Sequence, residues 1–419
     1  MENIGQTGKE QELERRMYEI LTRRAQAEFL PAYDPVGYPG QRALFLQGEP
    51  YHGKTTRAFG YLGVPKAQDG ERVPAVVLVH GGEGFAFPEW VQVWNDRGYA
   101  ALALCNTGYR PIHEGITAFN KKENWFRQEE GKEGISGPDN DAMAHADEDL
   151  EEQWMYHGVS LTLLAHNLLR QDSRIDPASI GLVGISWGSV IASIAIGYDP
   201  RFSFAVPIYG SGFLDEGIGW IASLFRPESV KTLWDPGRRL TYVRMPVLWL
   251  CWANDPAFSI GPNVKSFDST PGSELSIQLS ISHGHPEAWH LPETYRFADA
   301  AVRQGPPLIR LREQPSEQRR EGEICLPMMV PPDVQRISAR LLYLTRPMRY
   351  STQGVIQWDG CETIDEAWKT GECRVERDDV LFRIPRDAAS YYIELTAVCG
   401  GQPFISTSRY TILAGGNQS

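Results

Sequence analysis

Cysteine is scarce in this chain: six occur in 419 residues, and no two form a C-x-x-C pair. Zinc-ribbon and thioredoxin-type chemistry therefore has no support in the sequence. Cys105 and Cys251 stand well apart, while Cys325, Cys361, Cys373 and Cys399 gather toward the end, where disulfide pairing is an open alternative. Long apolar runs are missing too; none approaches the roughly 20 residues of a membrane span. Basic excess is also absent, with 41 Lys and Arg against 53 Asp and Glu, a net charge of -12. That balance argues against nucleic acid as a partner, because phosphate backbones are held by clustered Lys and Arg. The opening "MENIGQTGKEQELERRMYEI" has no apolar h-region. The expected location is cytoplasmic, or secreted if a leader precedes Met1.

What is present points to a soluble globular protein: 42% hydrophobic and 22% charged residues. The length exceeds what one core usually fills, so one large and one smaller domain are expected. Residues 9–30 carry apolar positions at helical spacing among charges, which predicts an amphipathic helix ending before Pro31. From "VPAVVLVH" at 73–80 onward, short apolar runs alternate with helical stretches. They include "YAALALC", "SIGLVGI", "FAVPIYG", "MPVLWLCWA" and "LSIQLSI". This alternation predicts an α/β fold, a mostly parallel sheet flanked by helices. From about 306 the runs turn short and β-rich, as in "RISARLLYLT" and "YYIELTAV", which predicts a smaller β-sandwich of Ig-like type. The expected organisation is an N-terminal helical extension over 1–40, an α/β domain over 41–305 and the sandwich over 306–419. The segment 106–152 is too long for a plain connection and is expected to act as a lid or pocket wall. Its "GPDNDAMAHADEDLEE" lacks EF-hand spacing and is expected to be a solvated acidic loop.

The chemistry-bearing stretch is "GLVGISWGSV", where G-x-S-x-G sits between a strand and a helix. That is the pattern of a nucleophile elbow, which presents Ser186 at a strand end. A serine there is reactive only with a base, a carboxylate to orient the base, and N–H donors for the oxyanion. In the chain order serine, acid, histidine, Asp255 falls at the end of "MPVLWLCWA". After the next strand, "SHGHPEAWH" offers His283, His285 and His290. His285 is the expected base, since it follows a glycine and has loop length to swing back toward the serine. His283 is the alternative, and His290 reads as a surface or capping residue. Trp187, together with Gly81 and Gly82 of "VHGGEGFAFPEW", supplies the expected oxyanion donors, with glycine allowing close approach.

These stretches, with "HGGEGFAFPEWVQVWNDRGYAALAL", "WMYHGVSLTLLAHNLLR", "LWLCWANDPAFS" and "SHGHPEAWHLPETYRFAD", resemble bacterial α/β-hydrolases known as acetylxylan esterases or related to dienelactone hydrolases. The likeness runs from about 73 to 304. It implies a serine esterase with a triad of Ser186, Asp255 and His285 and no metal or cofactor; some relatives also carry a β-sandwich C-terminal domain. The expected reaction is hydrolysis of a small acyl ester, acetyl foremost, from a carbohydrate or similar alcohol. Trp125, Phe126, Trp187 and Trp234 are candidate pocket walls, though core is the better reading of any single one. A peptidase or amidase on the same fold is the second reading; it calls for an anchor for a peptide terminus, and Glu151 with Glu152, just before a helix, reads rather as a capping or solvated pair. The third is a carbohydrate- or partner-binding protein with an inert hydrolase domain, contacting its ligand through Trp358 and Trp368. The ester substrate is the expected partner, and a second copy of the chain is a further candidate.

Overall fold

The computed structural model describes residues 8–67, 70–112, 125–127, 137–138, 143–218, 220–312, 322–346 and 368–413. Its centre is a nine-stranded sheet. The first four strands to enter it are β1 (Ala27–Phe29), β2 (Gln41–Tyr51), β3 (Lys54–Gly63) and β4 (Val73–Val79). They are followed by β5 (Ala100–Leu104), then by the hairpin of β6 (Tyr109–Pro111) and β7 (Trp125–Arg127), which forms a separate ribbon. The sheet resumes with β8 (Ile175–Ile185), β9 (Phe204–Ile208), β10 (Leu248–Trp252) and β11 (Glu274–Gln278).

The spatial order is β1-β2-β3-β5-β4-β8-β9-β10-β11. β1, β2 and β3 pair antiparallel, and β3 also meets β5 antiparallel. From β5 to β11 every pairing is parallel. Parallel strands buried on both faces should read as continuous apolar runs, and β4, "VPAVVLV", and β5, "AALAL", do. Their side chains divide between two hydrophobic clusters, with Val77 and Val79 in one and Val76 and Leu78 in the other. The order reverses at β4, whose chain continues to β5 on one side while β8 lies on the other. In open α/β sheets the crevice beyond the strand ends at such a reversal is where ligands bind.

Helices cover both faces. The main ones are α1 (Gly8–Thr22), α2 (Pro88–Asn95), α3 (Trp154–Gln171) and α4 (Trp187–Tyr198). The shorter α5 (Trp220–Phe225) and α6 (Glu228–Trp234) precede α7 (Ile260–Ser269), α8 (His285–Ala288) and α9 (Pro292–Val302). The N-terminal helix is shorter than its spacing predicts. It stops at Thr22, and residues 27–29 join the sheet as β1 beside β2. Just past its end the side chain of Gln171, from the far end of α3, holds both the N–H and the C=O of Ala25, at 2.9 and 3.0 Å.

Beyond Gly305, which lies between α9 and the next strand, every described strand pairs antiparallel. One sheet contains β12 (Arg310–Leu311), β13 (Ile324–Met329), β16 (Cys373–Glu376) and β17 (Asp379–Phe382). The other contains β14 (Arg336–Leu344), β15 (Lys369–Gly371), β18 (Ser390–Cys399), β19 (Gln402–Thr407) and β20 (Thr411–Ile412). Two such sheets fit a β-sandwich. Cys105, Cys251, Cys373 and Cys399 are free thiols; Cys361 and Trp358 lie outside the described residues. No described helix is long and apolar enough to cross a membrane.

Candidate active site

β8 ends at Ile185, and α4 begins at Trp187. Ser186, between them, has φ 57° and ψ -120°, a conformation that costs a residue with a Cβ of order 1–3 kcal/mol. It is held there by its amide donating to the Ile208 carbonyl at 2.8 Å and by its carbonyl accepting from Ser189 N at 2.8 Å. The flanking glycines have steric reasons. A Cβ on Gly184 would strike the Gly188 carbonyl, and one on Gly188 would strike that of Val79. Other strained non-glycine residues share this edge of the sheet: Glu83 after β4 and Tyr209 after β9 both have φ 56°.

Asp255 follows β10, is almost fully buried, and is fixed at both oxygens. Its Oδ1 accepts from the amides of Ala257 (2.8 Å) and Phe258 (2.9 Å), and its Oδ2 accepts from Nδ1 of His283 at 2.7 Å. The His283 ring is stacked between Tyr209, centroids 4.9 Å apart, and Phe258, 6.1 Å apart. With its Nδ1–H donated in a hydrogen bond to the carboxylate, the neutral ring carries its lone pair on Nε2, the arrangement a general base requires. The link to the serine runs through β9, since Ser186 N bonds Ile208 and the next residue, Tyr209, stacks on His283.

His285, the expected base, is not the partner of Asp255. Its Nε2 accepts the Gly81 N–H at 3.0 Å. Burial pushes its pKa down to about 3, with the nearby His80 and His283 adding to the shift. The cause is where β11 stops. The seven-residue run "LSIQLSI" suggests a strand to 281, but pairing ends at Gln278. The loop is therefore already long enough at His283, and His285 starts α8 with its ring against Phe87, centroids 5.1 Å apart. His290 is exposed just after that helix.

The same bond changes the reading of the glycine loop. The Gly81 N–H is committed to His285, and the Gly81 carbonyl accepts from His80 Nδ1 (2.7 Å) and Gly84 N (3.2 Å). His80 Nε2 accepts from the Asn106 amide at 3.1 Å, so the His80 proton sits on Nδ1; burial lowers its pKa to about 4. Gly82 is left beside Trp187, since a Cβ on Gly82 would lie 3.3 Å from Cδ1 of that indole. As the first residue of α4, Trp187 has an amide with no acceptor one turn back. Of the three expected oxyanion donors, Gly81 therefore has its N–H committed to His285, while Gly82 and Trp187 lie side by side.

Of the aromatic residues expected to line a pocket, Trp187 packs edge-on against Trp154 at 5.9 Å, and the Trp154 Nε1 donates to the Asn106 carbonyl at 2.8 Å. Trp234 is core, fully buried with its Nε1 donating to Gln153 Oε1 at 2.7 Å. Trp125 is buried and stacked on Phe85 at 4.7 Å. Phe126 lies in β7, but its side chain falls outside the described residues, as do residues 113–124, 128–136 and 139–142 of the expected lid. Glu151 pairs with Arg16 of α1 at 2.7 Å, and Glu152 lies 3.6 Å from His52. Trp368 is buried rather than presented to a ligand. Sequence reading placed His80 with Gly81 and Gly82 in an HGG loop but passed over Tyr209, Phe258 and Asn106; the one available signal was that Tyr209 directly follows the strand "FAVPI".

Strand order, elbow and acid–histidine pair together define an α/β-hydrolase fold. No protein-family model and no curated protein matches the sequence. Among solved structures, an acetyl xylan esterase from Paenibacillus sp. R4 is similar, at 17% identity and TM-score 0.53 over 72% of this chain and 97% of that one. Acetyl xylan esterase 1 from Thermoanaerobacterium sp. JW/SL YS485 is 15% identical, with TM-score 0.49 over 67% of this chain and 90% of that one. A puromycin-hydrolyzing peptidase from Mycobacterium tuberculosis is 18% identical, with TM-score 0.45 over 64% and 40%.

Proposed function

We propose that the protein is a serine ester hydrolase that removes small acyl groups, acetyl foremost, from carbohydrate or similar alcohols. The observation that carries this reading is the 2.7 Å bond between Asp255 and His283, joined through Tyr209 and β9 to a serine held in the elbow conformation. Ser186 Oγ attacks the ester carbonyl as His283 takes its proton, and Asp255 stabilises the imidazolium. The amides of Trp187 and Gly82 hold the oxyanion. His283 then returns the proton to the departing alcohol. Water, deprotonated by the same ring, releases the acid from the acyl-serine.

The amide-hydrolysing alternative has less support, because the carboxylate of Glu151 is already paired with Arg16. The likeness in fold to an acetyl xylan esterase makes acetylated xylan the first polymer to test. The experiment compares p-nitrophenyl acetate, butyrate and octanoate with that polymer. Ser186→Ala and His283→Ala are each expected to lose about 10,000-fold or more in kcat. His285→Ala is expected to lose far less. Full activity in His283→Ala, or no ester turnover by the wild type, would sink the reading.

A further inference from the structure

We infer that the C-terminal sandwich is a working part of this site, with Trp368 as a positioning residue for the turn that carries Asp255. The inference rests on Asp255 acting as the acid of the proposed reaction. Asn254, its neighbour, is fully buried, and a buried amide oxygen is costly without a donor. The donor comes from the sandwich: Trp368 Nε1 reaches Asn254 Oδ1 at 2.7 Å.

That indole is itself rigidly held. It meets Tyr392 edge-on at 5.2 Å and Tyr410 at 6.2 Å, and the Tyr410 hydroxyl donates to Ser390 Oγ at 2.7 Å. Each residue of the turn therefore has a different anchor. Ala253 donates to the Gln278 carbonyl of β11 at 2.8 Å, Asn254 accepts from the sandwich, and Asp255 accepts from its own turn.

The strand leading to His283 leans on the same sandwich. Ile277 N donates to Thr407 Oγ1 at 3.1 Å, and Ser276 Oγ donates to the Ile405 carbonyl at 3.1 Å. β10 and β11 lie at one edge of the sheet, and an edge strand without a cover is the least constrained part of a sheet. Acid and base sit on the loops after these two strands. Misplacing a reacting group by about 1 Å costs on the order of 100-fold in rate, so a brace on the acid's turn and on the strand before the base bears directly on catalysis.

The test is Trp368→Phe in the full chain, which keeps a ring against Tyr392 and Tyr410 and removes only the N–H. Asn254→Ala removes the acceptor instead, and serves if the first variant does not fold. With p-nitrophenyl acetate, either is expected to lower kcat about tenfold, the worth of one buried hydrogen bond, with KM within about twofold. The double variant is expected to be no worse than the poorer single one. The downfield imidazole N–H resonance of the His283–Asp255 pair, followed by NMR, is expected to shift or broaden in Trp368→Phe. If kcat and the resonance match wild type, or if the two losses simply add, Trp368 is core packing and the inference is wrong. A shifted resonance in a protein whose wild type cleaves no ester would leave the brace standing and remove the hydrolase reading instead.

Discussion

A neutral imidazole nitrogen that accepts a backbone N–H cannot also carry a proton, and two histidines at this site are held in that state. His285 accepts from Gly81 and His80 from Asn106. Burial lowers their pKa values to about 3 and about 4. Both lie below the ordinary histidine value, so between the folded and unfolded pKa the unfolded chain binds more protons. Stability from these groups is complete above about pH 6.5 and falls as pH drops, each adding a slope of up to about 1.4 kcal/mol per pH unit. His285→Gln keeps an acceptor that does not titrate. It is expected to flatten the slope of urea-derived stability between pH 7 and 5 while holding kcat within about tenfold; an unchanged slope would contradict the argument. Residue identity alone could not choose between His283 and His285, since both follow the strand and only its true end separates them.

Among the elements, α1 shows how a helix predicted from spacing alone is secured by groups far away. Leu13, Met17 and Ile20 form its buried stripe, as the periodicity implied. Its last carbonyls are satisfied from outside: Asn167 Nδ2 donates to Ile20 O (2.7 Å) and Arg23 O (2.9 Å), and Arg201 Nη1 donates to Leu21 O (2.7 Å). Arg201 in turn makes a two-pronged pair with Asp199, a fully buried carboxylate that also accepts from His166. Removing Arg201 would leave that charge short of its partner. Arg201→Ala is expected to cost about 3–5 kcal/mol in urea unfolding. Asn167→Ala is expected to cost about 1–3 kcal/mol and to speed tryptic cleavage after Arg23 or Arg24. Equal cleavage rates in variant and wild type would show that these bonds do not secure the helix end.

At the scale of the whole molecule, the sandwich and the α/β sheet share buried cores. Leu342, Leu344, Trp368 and Tyr392 cluster with core residues of the large sheet, and Ile405 N donates to the buried Glu293 of α9. A chain ending at 305 would expose that surface together with the edge of β11. It is expected to aggregate or to unfold noncooperatively, and a soluble, active fragment 1–305 would show the interface to be dispensable. The sequence by itself determined the α/β alternation, the elbow serine, the acid at the strand end and the antiparallel tail, because each is a pattern within one or two consecutive elements. Tertiary structure alone decided which histidine meets Asp255, which glycine N–H is already committed, and that Trp368 reaches Asn254. Those depend on where strands stop pairing and on contacts between residues far apart in the chain, which no local period encodes.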